Sequence, residues 1–438
     1  MVEGAAGAGK TTTLAAAKDL LGGQGRRMLV VTPTLKAAQV AAREVGTAGS
    51  VAWLVHQHGF RWDTDGRWSR VATDPAPGAV LGRGDLLLVD EAGMLDQDTA
   101  RALLTVADEM GARVALVGDR HQLPATGRGG VLDLAARWVP PEAHVDLDVA
   151  HRFVDPEYAA ISLALRTGSP TYTPPGQDSG ERISETVGET DGERVSEVWD
   201  ALWRRGQIQI YPSEAERTQA LARLGADARI AGEQRAGGVL MMADTRERTA
   251  VLNGFIRDRL VAAGHVDDSR AVATNAGERL GVGDRVATRR NDRDLNVSNR
   301  DTWTITDIGA DGTLTLRGRY ATELRTIPVG YACEYVELAY ATTVYGAQGE
   351  TTRAGHLMLG EHTSAASAYV AMTRGREDNI AHLVADDEAD ARRQWEQVFA
   401  RDRADLGPAA AAHQAAEEIE RYGTQPPARP LEEVLDDL

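Results

Sequence analysis

Cysteine is nearly absent from this 438-residue chain. Cys333 stands alone, so no internal disulfide can form, and without Cys or His at metal spacing beside it no thiolate metal site can be built. No apolar run approaches the roughly 20 residues that span a bilayer. The opening residues Met-Val-Glu-Gly-Ala-Ala have neither the basic nor the apolar region of a secretory signal, which together points to a soluble cytoplasmic protein with no membrane segment. There is no internal repeat. Lysine is almost missing as well: Lys10, Lys18 and Lys36 stand against 45 arginines. Where arginine has replaced lysine so widely, the survivors are expected at places that take a compact ammonium and not a planar guanidinium.

The net charge of −17 argues against a nucleic-acid partner, but its distribution removes the objection. Residues 386–438 hold 14 acidic against 6 basic side chains, and residues 177–197 hold 7 against 2. The remainder carries only −4, so local basic grooves are compatible with the composition.

The first 165 residues alternate short aliphatic runs with helical stretches, the pattern of a parallel sheet with crossover helices. Residues 28–32, 86–90 and 114–118 read as buried strands, and 11–21 and 35–45 as helices. Residues 170–197, rich in Pro, Gly, Ser, Thr and Glu, read as a linker. A second α/β pattern starts with a strand at 238–243 and a helix at 246–263, gives way to short β segments with turn signals between 283 and about 335, and resumes at 336–341, 366–374 and 380–385. The fold class is α/β.

Gly4-x4-Gly9-Lys10-Thr11 has the spacing of a phosphate-binding loop, with Gly7 inside it and Thr12 following. Its glycines let backbone N–H groups converge on phosphate oxygens at the positive end of the next helix. Lys10 would reach the β- and γ-phosphates of ATP, and Thr11 would hold Mg²⁺. The strand 86–90 ends in Asp90 and Glu91: the first acid suits Mg²⁺ and the second can activate water. Gln122 follows the next strand, where a polar group can sense the γ-phosphate.

These segments resemble the superfamily 1B helicases of the RecD-like branch, and more closely the helicase half of MobF-class conjugative relaxases of the TraA type. The matching segments are Val30-Val-Thr32-Pro33-Thr34, Val89-Asp90-Glu91-Ala92-Gly93-Met94, Gly118-Asp119-x-x-Gln122, Ala150-His-Arg152-Phe, Tyr340-Ala-Thr342-Thr343-x-x-Gly-Ala-Gln348-Gly349 and Val370-Ala-Met-Thr373-Arg374-Gly-Arg376. They fall in the family's order from residue 4 to about 385. The resemblance implies that Gln122 couples the γ-phosphate to domain movement and that Arg152 and Arg374 reach it across a cleft. It also implies that Thr32, Pro33, Thr34, His56, Thr342, Thr343, Tyr345 and Gln348 touch a DNA strand or couple it to ATP. Tyr345 stands where the family commonly has His. Residues 60–70 read as a hairpin around Asp65-Gly66, with Trp62 and Trp68 as cross-strand partners at the family's duplex-splitting position. His56-Gln57-His58 has no third ligand or nucleophilic tyrosine arranged with it and is not read as a nicking centre.

The expected architecture is two RecA-like P-loop domains with a small β-hairpin insertion and an SH3-like all-β insertion. Domain 1A covers 1–168, with the pin at about 58–75. A linker or mobile acidic loop follows at 169–205. Domain 2A covers 206–385, with the SH3-like insertion at about 299–335, and an acidic helical, Pro-rich tail occupies 386–438. The expected activity is an ATP-dependent helicase or translocase on single-stranded DNA and single/double-strand junctions. The resemblance implies 5′→3′ movement, a role in conjugative transfer, and an upstream relaxase domain or other conjugation proteins as partners. The alternative is a helicase-like domain that grips single-stranded DNA without unwinding; a P-loop kinase leaves the second α/β half unexplained. Only Met1, Val2 and Glu3 precede Gly4, where a central strand normally needs about five residues. The expectation is therefore a C-terminal piece of a longer polypeptide, or a gene fragment, that folds marginally and binds ATP weakly until about 30–50 upstream residues are restored.

Overall fold

The structure, a computed structural model, describes residues 1–46, 48–63, 68–167, 191–232, 238–318 and 322–401. The Asp65-Gly66 turn, residues 169–190 of the acidic linker and residues 402–438 of the tail lie outside the described residues.

The aliphatic runs form two parallel sheets. The first is ordered Ala48–Ser50, Met28–Thr32, Leu86–Val89, Arg113–Gly118, Val2–Gly4, Val145–Leu147. The second is ordered Ala341–Thr343, Val239–Ala243, Thr352–Met358, Gly375–Val384, Ile208–Tyr211. Helices join the strands because the intervening segments carry caps and stops of their own. Thr34 accepts from the Ala37 amide to begin helix Leu35–Val45, and Gly46, at φ 80°, ends it in a conformation that β-carbons resist. Thr245 and Ser213 cap Arg246–Ala262 and Glu214–Ile230 in the same way. The fold is thus the mixed α/β class with two parallel sheets.

The β insertion starts upstream of the bound that the SH3-like resemblance implies. A five-stranded antiparallel sheet runs Leu324–Ile327, Leu314–Arg317, Thr302–Ile308, Arg285–Thr288, Val336–Leu338, and the pair Asp267–Ala273 and Arg279–Val282 precedes it. The start read at about 299 is therefore corrected upstream. The apolar run 336–341 divides: Val336–Leu338 closes the antiparallel sheet, and Ala341–Thr343 opens the edge of the second parallel one. Trp303 is buried in this insertion's core with Ile305, Leu314 and Leu316.

The segment read as linker is corrected too, while the tail opens with the helix expected there. Asp191–Arg204 and Glu388–Arg401 are helices, and Trp199, Leu202, Trp395 and Val398 are buried in one core with the second sheet. Trp199 and Trp395 lie 6.1 Å apart, centroid to centroid. Each helix carries its apolar residues at helical spacing among many acids, and averaging over the segment hid that stripe. Phe153, Tyr158, Ile161 and Leu165 share this core, so the end of the stretch assigned to the first domain packs with the second sheet. Among the described residues no helix is long and apolar enough to cross a membrane.

Candidate active site

Strand Val2–Gly4 sits between Arg113–Gly118 and Val145–Leu147 and delivers the chain into the loop 4–9. Gly7 and Gly9 take φ 79° and 82°, the left-handed region open to glycine, and helix Lys10–Gly23 follows directly. Space as well as conformation demands glycine at position 7, because a Cβ there would collide with Arg152. The Lys10 ammonium folds back onto the Gly4 and Ala5 carbonyls at 2.7 and 3.0 Å. Burial lowers its pKa against the pull of Asp119, Glu91 and Asp90. Thr11 is half-buried at the helix start, and Thr12 is exposed.

Asp90 and Glu91 follow strand Leu86–Val89. Burial first, and Glu91 second, push the Asp90 carboxyl up to about 7. Glu91 holds φ 56°, a left-handed conformation that a non-glycine residue rarely adopts and that clusters at functional sites. Two neighbouring half-buried acids, one of them raised so far, form a donor set that a divalent cation would relieve, and Thr11 lies in the first turn of helix Lys10–Gly23. These residues fit Mg²⁺.

Asp119 and Gln122 are buried at the end of the neighbouring strand, with Gln122 Nε2 3.4 Å from Asp119 Oδ2. Burial raises the Asp119 carboxyl, but Arg166, at 3.0 Å, and then Lys10 outweigh this and hold it low. Arg166 also donates to Glu3 at 3.0 Å, as Arg120 does, so charged pairs back the loop.

The second half closes over this surface. The Arg152 guanidinium donates to the Thr373 carbonyl at 2.7 Å, while the preceding residue's amide, at His151, donates to Gly7 O at 2.9 Å. Burial, and next Arg374, lower Arg152 to about 9. Arg374 is fully buried and donates to Val370 O at 2.8 Å, Thr373 Oγ1 at 3.2 Å and Glu350 O at 3.3 Å. Lys10, Asp90, Glu91, Gln122, Arg152 and Arg374, far apart in sequence, are thereby gathered around one loop. Reading by motif missed Tyr369. Its hydroxyl accepts from the Ala6 amide at 2.9 Å and donates to Asp119 Oδ2 at 3.0 Å, joining the loop to the helix before Arg374. Only its place one residue before the Val370–Arg376 segment pointed to it.

The residues assigned to a DNA track are scattered in exposure. Thr34 is exposed, and Pro33, Thr342 and Thr343 are half-buried. Thr32 is fully buried and donates to Thr34 O at 2.7 Å, so its hydroxyl shapes the turn and does not face solvent. Tyr345 and His56 are exposed, whereas both polar atoms of the Gln348 amide are buried without a partner among the described residues. His58 is a core histidine held to Ala79 O at 3.0 Å. Trp62 and Trp68 pair across Phe60–Trp62 and Trp68–Arg70 with ring centroids 5.1 Å apart. Trp62 is 48% exposed; Trp68 packs on the first sheet's core.

Residues 1–186 match the protein family described as an AAA domain. Along 378 residues, 86% of this chain and 30% of the relative, the sequence is 25% identical to the conjugal transfer protein TraA of Rhizobium radiobacter. A shorter stretch of 143 residues, 32% of this chain and 18% of the relative, is 36% identical to the ATP-dependent RecD2 DNA helicase of Deinococcus radiodurans. The fold resembles the Pif1 helicase from Bacteroides crystallised with ADP-AlF3 and single-stranded DNA, with a TM-score of 0.53 at 17% identity over 96% of this chain and 93% of that one. The chain spans under a third of the length of the TraA relatives it matches.

Proposed function

We propose that the chain is a helicase of the RecD-like superfamily 1B branch, close to TraA-type relaxases, and that it hydrolyses ATP to move along single-stranded DNA. The observation that carries this reading is the convergence of Arg152 and Arg374, held by the second half, on the loop carrying Lys10. A phosphoryl group in flight spreads negative charge over its oxygens, and cations delivered by a second domain stabilise it only when the cleft is closed. Hydrolysis is then tied to domain movement.

In this mechanism the loop amides and Lys10 bind the β- and γ-phosphates, while Thr11 and Asp90 would hold Mg²⁺, which would supply charge neutralisation at the phosphate oxygens. Glu91 accepts the proton of the attacking water. Gln122 and Tyr369, both on Asp119, sense the change at the γ-phosphate and pass it to the helix before Arg374. Thr34, Thr342 and Thr343 contact phosphates of the strand without reading its bases. We assign the Trp62–Trp68 hairpin to duplex separation, the direction of movement to 5′→3′, and the physiological role to conjugative DNA transfer in the cytoplasm beside a relaxase domain or other transfer proteins. The retained acid, lysine and arginine set weighs against a purely DNA-gripping domain. An ATPase assay with and without single-stranded DNA tests the reading: stimulated turnover is expected, and DNA binding without any turnover would leave the gripping domain standing.

A further inference from the structure

Cations from different parts of the chain gather around the turn 346–350. Lys36, in the first turn of helix Leu35–Val45, donates to the Gly346 carbonyl at 2.9 Å and pairs with Glu350 Oε1 at 2.5 Å. Arg300 arrives from the antiparallel insertion. Its Nη1 and the Thr342 hydroxyl lie so close over Gly346 that any Cβ there would collide with both. Arg300 is held at φ 71°, in the left-handed region, and its guanidinium has no hydrogen-bond or ion-pair partner among the described residues. Arg289 and Arg246 face it as further cations, Glu337 and Glu350 as anions; burial, then Arg289, lower its pKa. Glu337 is engaged by Arg289 at 3.3 Å, while Glu350 pairs with Lys36 and faces Arg300 from farther off.

The Glu350 backbone faces elsewhere. Its carbonyl accepts from Arg374 at 3.3 Å, so one residue touches both the cation cluster and the arginine of the candidate ATP site. The Lys36–Glu350 pair also ties the first sheet's helix to the turn after Ala341–Thr343, across 314 residues of sequence.

We propose that Glu350 stands in for a backbone phosphate of single-stranded DNA, and that a phosphate entering between Lys36 and Arg300 displaces it and resets Arg374. The inference rests on the DNA-translocase reading and deepens it. A carboxylate and a phosphodiester bring the same single charge and similar acceptor oxygens, so one can replace the other against a lysine and a guanidinium. Crowded cations that hold an internal carboxylate are a site of ion exchange: the incoming phosphate gains Lys36 and Arg300 only as Glu350 leaves. Arg300 is fixed by a strained backbone before any strand arrives, which lowers the ordering cost of binding. Loss of the Lys36–Glu350 pair releases the turn 346–350 from helix Leu35–Val45, and a shift of that turn moves the Glu350 carbonyl to which Arg374 donates.

The test is Glu350→Gln, which keeps shape and removes charge. Binding of a fluorescent oligothymidylate is followed by anisotropy across salt concentrations, and ATP turnover is measured with and without the oligonucleotide. Glu350→Gln should bind about three- to tenfold tighter at low salt, the gain fading as salt rises. Its DNA-independent turnover should increase and its stimulation by DNA shrink. Arg300→Gly retains access to the left-handed backbone while removing the guanidinium. That variant should bind more weakly, with the log–log salt slope reduced by about one. Unchanged affinity and unchanged stimulation in Glu350→Gln overturn the stand-in role, even if Arg300→Gly binds weakly. A parent chain that binds no oligonucleotide at any salt overturns the translocase reading and this inference with it.

Discussion

The Tyr369 hydroxyl donates to the Asp119 carboxylate at 3.0 Å, tying the helix before Arg374 to the strand end that carries Gln122. The same oxygen accepts from the Ala6 amide, so one phenol spans the phosphate loop and two of the elements expected to respond to it. Tyr369→Phe keeps the ring in its buried place and strands both partners. Unfolding by urea should show a loss of about 1–3 kcal/mol, the cost of leaving buried polar groups unpaired. Unchanged stability would mean that the bridge does not form in solution.

Lys10→Ala should abolish ATP hydrolysis while single-stranded DNA binding stays largely intact, because the candidate strand contacts lie outside the phosphate loop. Filter-bound DNA and phosphate release measured on the same preparation separate the two activities. Loss of both would place the strand across the loop itself.

Arg374→Ala should spare nucleotide binding and lower turnover by about 10³–10⁵, since a late-arriving cation acts mainly in the transition state. Normal hydrolysis in this variant would remove Arg374 from the catalytic set. Because the guanidinium is buried and serves Val370 and Glu350, some loss of thermal stability is expected beside the kinetic one.

Trp62 and Trp68 should part ways on substitution, although they face each other across one ladder. Trp62→Ala, at an exposed ring, should shift stability by no more than about 0.5 kcal/mol and abolish duplex unwinding while DNA-stimulated ATPase remains. Trp68→Ala removes a ring packed on Phe60 and the first sheet's core, and should cost about 1–3 kcal/mol. Equal destabilisation by both, with unwinding and ATPase falling together, would make the hairpin a structural strap.

The raised Asp90 carboxyl sets a pH dependence whose sign is fixed. Burial, then Glu91, hold it at about 7 in the folded chain, above its ordinary 3.8. A folded state that keeps a proton longer than the unfolded one loses stability as pH rises between those two values. In metal-free buffer, Asp90→Asn should therefore melt above the parent at about pH 8, and the difference should vanish near about pH 4. Mg²⁺-dependent turnover should fall as pH drops through 7, because the ionised carboxylate is the ligand. A melting difference that stays constant over this range would place the titration elsewhere.

The scarcity of lysine proved an informative sequence signal. Lys10 sits among the Gly4 and Ala5 carbonyls, Lys18 donates to Val45 O at the end of helix Leu35–Val45, and Lys36 bridges Gly346 and Glu350. Each ammonium points at one or two carbonyl oxygens in a confined space, where a planar fork would need more room. Yet scarcity alone could not say what Lys36 meets, since its partners lie over 300 residues away.

Contiguous sequence determined the phosphate loop, the strand ending in Asp90 and Glu91, and the alternation that yields parallel sheets. Each is encoded within a few residues: glycines free to take positive φ, an unbroken apolar run, a threonine at a helix start. The antiparallel insertion was legible in kind but not in extent, because the run 336–341 looks uniform and only packing assigns its halves to different sheets. Helix Asp191–Arg204, and the packing of helix Glu388–Arg401 into the core, were hidden by their acids, since burial depends on the few residues around Trp199 and Trp395 and not on average polarity. The meeting of Arg152, Arg374 and Tyr369 with the loop, and of Lys36 with Glu350, belongs to tertiary structure alone. Those contacts form between surfaces hundreds of residues apart, and no local propensity encodes which surfaces will face each other across a cleft.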